Sequence, residues 1–198
     1  KQLEILGVDK IEAGFPITSP GDFDAVQAIA GEVERSSIVG LCRARDEDIQ
    51  AAWDAVREAK MPCIHTFIAT SDIHLKYQLR MSRDEVIKSV EHSVGQCKSL
   101  CADVEFSAMD ATRSDWDFLA DVYTVALASG ATTINVPDTV GYTNPQEFFN
   151  LITHLKKKVK GIEQAVISVH CHNDLGMAVA NSVSAVMAGA RQDRKSVV

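Results

Sequence analysis

Short apolar strands alternate with amphipathic helices along this chain of 198 residues. The sequence predicts six strands, over residues 8–12, 37–42, 63–69, 103–107, 132–136 and 165–172. It predicts that each is followed by a helix, over residues 22–35, 46–60, 82–100, 114–129, 145–159 and 176–189. Because no strand follows another directly, the pattern is typical of a parallel sheet covered by helices. The fold class is therefore α/β.

Two helix starts carry clear signals. Ser82 is expected to cap the helix over 82–100, with Glu85 at the capping-box position. Asn144 is expected to cap the helix over 145–159, with Pro145 at its first position.

Two architectures satisfy the alternation, an open doubly wound sheet and a (β/α)₈ barrel. An open sheet gathers its ligand at one switch point, whereas polar residues here stand at nearly every strand end. There is no Gly-x-Gly-x-x-Gly after a strand and no Walker motif. We therefore predict an incomplete (β/α)₈ TIM barrel with about six of eight βα units. The first and last strands are expected to lie outside this chain.

Composition narrows the class of function. The net charge of −7 argues against nucleic-acid binding. The five cysteines form no Cys-x-x-Cys pair, which indicates reduced thiols in an intracellular compartment. No apolar run approaches the ~20 residues that span a membrane, and the first residues lack a signal-peptide pattern. We expect neither nucleic-acid nor membrane partners.

The last six residues, 193–198, stand apart from the rest. Their sequence, Asp-Arg-Lys-Ser-Val-Val, is the translation of a sequencing adapter, GATCGGAAGAGCGTCGTG, and shows no strand character where the next strand is due. We predict a partial barrel domain over residues 1–192 and a non-native tail over 193–198.

The last predicted strand carries a pair of histidines at its end. Residues i and i+2 of a strand point to the same face, so His170 and His172 project together. Two adjacent imidazoles, followed by Asn173 and Asp174, suit a divalent metal ion. The same pair could also be two unrelated polar residues at a strand terminus.

Four segments, taken in order and spacing, resemble the 2-isopropylmalate synthase family of the DRE-TIM metallolyase group. They are residues 11–16 (Ile-Glu-Ala-Gly-Phe-Pro), 65–74 (His-Thr-Phe-Ile-Ala-Thr-Ser-Asp-Ile-His), 137–141 (Pro-Asp-Thr-Val-Gly) and 170–176 (His-Cys-His-Asn-Asp-Leu-Gly). The resemblance covers residues 1–192, the pyruvate carboxyltransferase-like catalytic domain. The same group contains homocitrate, citramalate and methylthioalkylmalate synthases, which remain alternatives.

The resemblance implies an acyltransferase that condenses acetyl-CoA with 2-oxoisovalerate to give 2-isopropylmalate, the first committed step of leucine biosynthesis. A divalent ion (Mn²⁺, Mg²⁺ or Zn²⁺), held by His170 and His172, would polarise the keto oxygen in this Claisen condensation. It also implies a homodimer in the full-length enzyme and a cytoplasmic location, or the plastid stroma if the source is a plant or alga.

The resemblance further places His65, Ser107 and Thr139 in the 2-oxo acid pocket, with Thr139 bonding the substrate carboxylate. Each has a plainer explanation, as a barrel histidine, a small residue near the barrel mouth and a turn cap. Met109 stands where the family has a catalytic glutamate, so the catalytic group is unknown, with Glu105 and Asp110 as candidates.

Arg43 is expected to be a surface residue.

Two other classes of protein compete with the acyltransferase: a metal-dependent hydrolase and a truncated barrel without catalytic activity. Because the family's other metal ligands lie on missing strands, we expect the chain made alone to lack synthase activity.

Overall fold

A computed structural model describes residues 1–194 of the chain. Seven parallel strands form one sheet in the order of the sequence. The strands are β1 (Lys10–Gly14), β2 (Ser37–Arg43), β3 (Pro62–Ala69), β4 (Asp103–Met109), β5 (Thr133–Asp138), β6 (Val166–Cys171) and β7 (Gln192–Asp193). The helices are α1 (Gln2–Leu6), α2 (Pro20–Glu32), α3 (Asp46–Val56), α4 (Asp72–His74), α5 (Arg83–Leu100), α6 (Trp116–Ala128), α7 (Pro145–Lys158) and α8 (Ala178–Ala188).

The sheet curls into part of a barrel. Gln192 on β7 donates a hydrogen bond to Glu105 on β4 at 2.9 Å, and Glu12 on β1 reaches His65 on β3 at 2.6 Å. Side chains from strands that are not neighbours therefore meet on the concave face. The prediction of an incomplete α/β barrel is confirmed.

The predicted helix starts are also confirmed. The Ser82 side chain accepts a hydrogen bond from the Glu85 backbone N–H, and the Glu85 side chain accepts one from the Ser82 backbone N–H. Asn144 caps α7 in the same way, with Glu147 as its reciprocal partner and Pro145 at the first position. These local bonds satisfy backbone N–H groups that the first helical turn leaves free.

Three features differ from the prediction. The first strand covers Lys10–Gly14 rather than 8–12, because its pairing with β2 begins only at Lys10 and Ser37. The loop expected between the third strand and the helix at 82 contains α4 and a turn of π-helix over Leu75–Leu79. A seventh strand, Gln192–Asp193, pairs with β6, so the expectation of no strand character at Asp193 was wrong. Residues 195–198 of the predicted tail lie outside the described residues.

The apolar core lies between the sheet and its helices. Strand residues that alternate outwards, such as Ile64, Phe106 and Ile134, are fully buried against apolar side chains of the helices, including Val90 and Leu119. The opposite face of each strand lines the barrel interior and carries many polar side chains. No helix within residues 1–194 combines the length and apolar character that crossing a membrane needs.

Candidate functional site

A cavity of about 190 Å³ opens where the carboxyl ends of the strands meet. All five residues predicted to bind substrate or metal line it. They are His65 on β3, Ser107 on β4, Thr139 just after β5, His170 near the end of β6 and His172 just after it. Its lining consists of Leu41, His65, Phe67, Ser107, Met109, Asn135, Pro137, Thr139, His170, His172 and Arg194. A second cavity of about 220 Å³ is lined by Thr112, Trp116, Tyr142, Thr143, Glu147 and Leu151, and contains none of the predicted site residues.

His170 near the end of β6 and His172 just after the strand point their rings at each other. Their Nε2 atoms lie 2.9 Å apart, and their rings meet edge to face with centroids 4.8 Å apart. Burial lowers the pKa of His170, and Arg194 and His172 lower it further. Both effects favour the neutral imidazole, which is the form that binds a metal ion.

This pair fits part of a metal site. Two nitrogens that bind one ion at ~2.0–2.1 Å lie about 2.9 Å apart in octahedral geometry and about 3.4 Å apart in the tetrahedral geometry usual for zinc. The observed 2.9 Å is compatible with a shared octahedral ion. Within residues 1–194, however, no group of three or more His, Cys, Asp or Glu side chains is placed to hold a metal ion. The chain therefore supplies two convergent nitrogen ligands.

A chain of hydrogen-bonded side chains forms the wall of the cavity next to β3 and β4. His65 Nδ1 lies 2.6 Å from Glu12 Oε2, and His65 Nε2 lies 2.7 Å from Ser107 Oγ. Asn135 Nδ2 donates to the same Ser107 oxygen at 2.8 Å. Because an ionised carboxylate can only accept, His65 Nδ1 donates in its hydrogen bond to Glu12. These bonds fix the His65 ring and the Ser107 rotamer.

The carboxylate that orients His65 is held in its ionised form. Burial alone would raise the pKa of Glu12, but the adjacent His65 and Arg194 outweigh it and lower the pKa to about 2. Arg194 also forms an ion pair with Glu12. Arg194 belongs to the segment predicted to be non-native, so no role is assigned to it.

Thr139 lines the cavity just past the end of β5. Its Oγ1 accepts a hydrogen bond from the backbone N–H of Asp110 at 2.9 Å. A hydroxyl has one hydrogen to donate and two lone pairs. Among residues 1–194 this is the only hydrogen bond of Thr139 Oγ1, so its hydrogen remains available to a ligand acceptor.

The carboxylates of the two catalytic candidates, Asp110 and Glu105, do not line the cavity. Asp110 has no exposed surface, and Arg113 binds it through Nε and Nη2 at 2.8–3.0 Å. Glu105 is 2% exposed one layer deeper in the barrel, where Gln192 donates to it. Arg43 pairs with Asp48 at 2.6 Å, and its half-exposed side chain agrees with the expected surface position.

Met109 lines the cavity, and the lining within residues 1–194 contains no carboxylate. Sequence reasoning assigned no site role to Glu12 or Asn135. The alternation of Lys10 and Glu12 on one strand face was the available signal for Glu12, because two charged residues at that spacing face the same side.

The fold and the cavity define a (β/α)-barrel protein whose polar site lies at the carboxyl ends of its strands, the usual position of barrel active sites. The chain belongs to the HMGL-like family, whose model matches residues 1–198.

Curated relatives of high identity confirm the resemblance seen in the motifs. The chain is 60% identical over 192 residues to the 2-isopropylmalate synthase of Pelotomaculum thermopropionicum, covering 97% of this chain and 38% of that protein. It is 57% identical over 192 residues to the 2-isopropylmalate synthase of Pyrococcus furiosus, with the same coverage of 97% and 38%. The chain thus spans only about 38% of the length of these relatives.

Solved structures share the fold at low identity. Hydroxymethylglutaryl-CoA lyase from Pseudomonas aeruginosa matches with a TM-score of 0.80 and 18% identity, over 98% of this chain and 66% of that chain. HMG-CoA lyase from Brucella melitensis matches with a TM-score of 0.74 and 19% identity, over 97% and 69%. At these identities the likeness establishes the fold alone.

Proposed function

We propose that the protein carrying this chain condenses acetyl-CoA with 2-oxoisovalerate to give 2-isopropylmalate, the first committed step of leucine biosynthesis. One observation carries the proposal: His65, Ser107, Thr139, His170 and His172 surround a single cavity of about 190 Å³. Curated relatives 53–60% identical to the chain are 2-isopropylmalate synthases.

Each polar group has a role that its contacts support. The Thr139 hydroxyl donates to the carboxylate of the 2-oxo acid, since its own oxygen is already bonded to Asp110 N–H. Ser107 and His65 form the adjacent wall, held in one orientation by Glu12 and Asn135. His170 and His172 would hold a divalent ion (Mn²⁺, Mg²⁺ or Zn²⁺), which supplies a Lewis acid for the keto oxygen when bound.

The apolar side of the cavity accommodates the rest of the substrate. Leu41, Phe67, Met109 and Pro137 form this side, which matches a branched aliphatic group rather than a second charge. Homocitrate synthesis starts from a 2-oxo acid with a second carboxylate, so the apolar wall favours 2-oxoisovalerate over that alternative. Citramalate and methylthioalkylmalate synthesis use smaller or longer apolar acids and are compared directly in the assay below.

The test uses the longer protein, purified with Mn²⁺. Free CoA released from acetyl-CoA is measured with 2-oxoisovalerate, pyruvate, 2-oxoglutarate and a methylthio-substituted 2-oxo acid. The proposal expects the highest kcat/KM with 2-oxoisovalerate, and loss of activity in His170→Ala and His172→Ala. Highest kcat/KM with another 2-oxo acid would move the assignment to the corresponding synthase of the group.

A second candidate is a protein that binds the 2-oxo acid without turning it over, and Met109 is the observation that favours it. Methionine cannot remove a proton from acetyl-CoA, and no carboxylate lines the cavity within residues 1–194. Under this alternative, 2-oxoisovalerate binds in calorimetry but no CoA is released, and Met109→Glu restores release. Release by the unmodified protein would exclude it.

The proposal includes a homodimeric, cytoplasmic protein with acetyl-CoA as co-substrate. We also propose that the 198-residue chain alone has no synthase activity, because residues 1–194 supply only two convergent metal ligands. Acetyl-CoA-dependent CoA release by the purified chain would refute this. Size-exclusion chromatography of the longer protein tests the dimer.

A further inference from the structure

Asp110 has an unusual backbone conformation directly beside the cavity. Its φ is 66°, and Arg80 is the only other non-glycine residue with positive φ within residues 1–194. Such left-handed conformations are uncommon for residues with a side chain, although Asp and Asn adopt them more readily than most. Where they persist, the surrounding structure must hold them, and they concentrate at functional sites.

Hydrogen bonds to the Asp110 carboxylate keep the residue in this backbone conformation. It is fully buried, and Arg113 Nε lies 2.9 and 3.0 Å from its two oxygens while Nη2 lies 2.8 Å from Oδ2. Ser71 Oγ donates to Oδ2 at 2.5 Å, and His74 Nδ1 lies 3.0 Å from the same oxygen. A fork of two guanidinium nitrogens and a hydroxyl thus fixes the side chain, and the backbone with it.

The consequence of this conformation appears on the other side of the residue. The backbone N–H of Asp110 points at Thr139 Oγ1, with an N···O distance of 2.9 Å. A second bond joins the same two loops, since Thr112 Oγ1 donates to the buried Asp138 carboxylate at 3.0 Å. The position of Asp110 N–H relative to the Thr139 hydroxyl is therefore fixed from both loops.

We propose that Asp110 is a positioning residue for substrate binding: its carboxylate, clamped by Arg113, holds the backbone left-handed so that its N–H fixes the Thr139 rotamer. The hydroxyl hydrogen of Thr139 is then directed towards the carboxylate of the 2-oxo acid. This inference rests on the proposed function, because it requires Thr139 to bind that carboxylate. It assigns the Asp110–Arg113 ion pair a role in geometry and not in proton transfer.

The test compares four variants of the longer protein in the presence of Mn²⁺. The dissociation constant of 2-oxoisovalerate is measured by isothermal titration calorimetry for Asp110→Ala, Asp110→Asn, Thr139→Val and the Asp110→Ala/Thr139→Val double variant. Asp110→Ala and Thr139→Val should each raise Kd about tenfold or more, the size of a lost hydrogen bond to a charged group. The double variant should be no weaker than the worse single variant, because both remove the same bond.

Asp110→Asn is the conservative rescue. Asparagine tolerates the left-handed conformation and still offers an oxygen to Arg113, so its Kd should stay within about threefold of the unmodified protein. The dissociation constant of Mn²⁺ alone should not change in any of these variants. If Asp110→Ala does not fold, Arg113→Gln replaces it and should raise Kd for 2-oxoisovalerate at least threefold.

Three outcomes would overturn the inference. The first is an unchanged Kd for 2-oxoisovalerate in Asp110→Ala and Arg113→Gln. The second is a double variant whose increase in Kd equals the product of the two single increases. The third is an Asp110→Asn variant whose Kd is as high as that of Asp110→Ala. A Kd that is unchanged in Thr139→Val instead removes the proposed carboxylate contact itself, so failure of the proposed function is distinguished from failure of the inference.

Discussion

Glu12→Gln tests whether an ionised carboxylate inside the barrel stabilises the chain through His65. The substitution keeps the size of the side chain and removes its charge. In the structure the Glu12 side chain is 24% exposed, and its Oε2 lies 2.6 Å from His65 Nδ1. A glutamine oxygen can still accept this hydrogen bond, so the charge is the main loss.

The size of the effect follows from the pKa. Lowering the pKa of Glu12 from 4.5 to about 2 corresponds to roughly 3 kcal/mol of unfolding free energy at about 1.4 kcal/mol per pKa unit. Part of this comes from Arg194, so we expect Glu12→Gln to cost about 1–3 kcal/mol at pH 7. Because the folded-state pKa lies below the unfolded one, the stabilisation is present above pH 4.5 and is lost as the pH falls towards 2.

Urea unfolding at pH 7 and at pH 3.5 separates charge from packing. At pH 3.5 about 1.4 kcal/mol of the Glu12 contribution is already lost, so the deficit of Glu12→Gln should shrink by that amount. The same deficit at both pH values would refute the electrostatic account. Glu163→Gln, at an exposed residue, is the matched control and should change stability by less than about 0.5 kcal/mol. The unfolding free energy of Arg194→Ala gives the part of the Glu12 stabilisation that comes from the ion pair with Arg194.

Three further substitutions probe other parts of the site. Tyr123→Phe removes the hydroxyl that donates to the Asn135 carbonyl at 2.7 Å in a fully buried position, and should lower the unfolding free energy by about 1–3 kcal/mol; a loss below about 0.5 kcal/mol in urea would contradict it. Met109→Glu in the longer protein should leave Mn²⁺ affinity unchanged in calorimetry, whereas a large change would place residue 109 among the metal ligands. Gly141→Ala should lower the melting temperature, since φ there is +62° and a Cβ would collide with the Asp174 carboxylate; an unchanged melting temperature would show that the turn can relax.

The sequence predicted the elements whose signal is local. Runs of apolar, β-branched residues located six strands, and side-chain caps located the starts of α5 and α7. The limits of β1 were less accessible, because Lys10 and Glu12 give that strand a polar inner face and its first pairing is set by β2. Strand β7 has only two residues, and its pairing depends on the edge of β6 rather than on its own composition.

In the site, too, the features with a local sequence signal were predictable and those set by the tertiary structure were not. His170 and His172 stand at a strand end with the spacing that places two side chains on one face, so their convergence was predictable. The contact between Glu12 and His65 was not, because β2 lies between their strands and only the curvature of the sheet brings them to 2.6 Å. The Asp110–Thr139 bond depends on a positive φ that the sequence does not specify.

The inner face of the sheet carries polar side chains, whereas its outer face carries the apolar side chains of the core. Barrel interiors are usually filled by layers of bulky branched residues. Here the register places Ser107, Asn135, Ser168 and Gln192 side by side in one inner layer, linked by Asn135–Ser107 and Gln192–Ser168 bonds at 2.8 and 3.1 Å.

A buried polar layer of this kind contributes little net stability, because each bond replaces one to water. The large apolar side chains are buried on the outer face of the same strands, where Phe106, Ile134 and Val169 pack in the main core. The barrel can therefore reserve its interior for oriented polar groups, since the helices already cover the surface that stabilises the sheet. Substitutions in the inner layer that keep a hydrogen-bonding group should accordingly impair ligand binding more than folding, and those that shorten Phe106 or Ile134 should do the reverse.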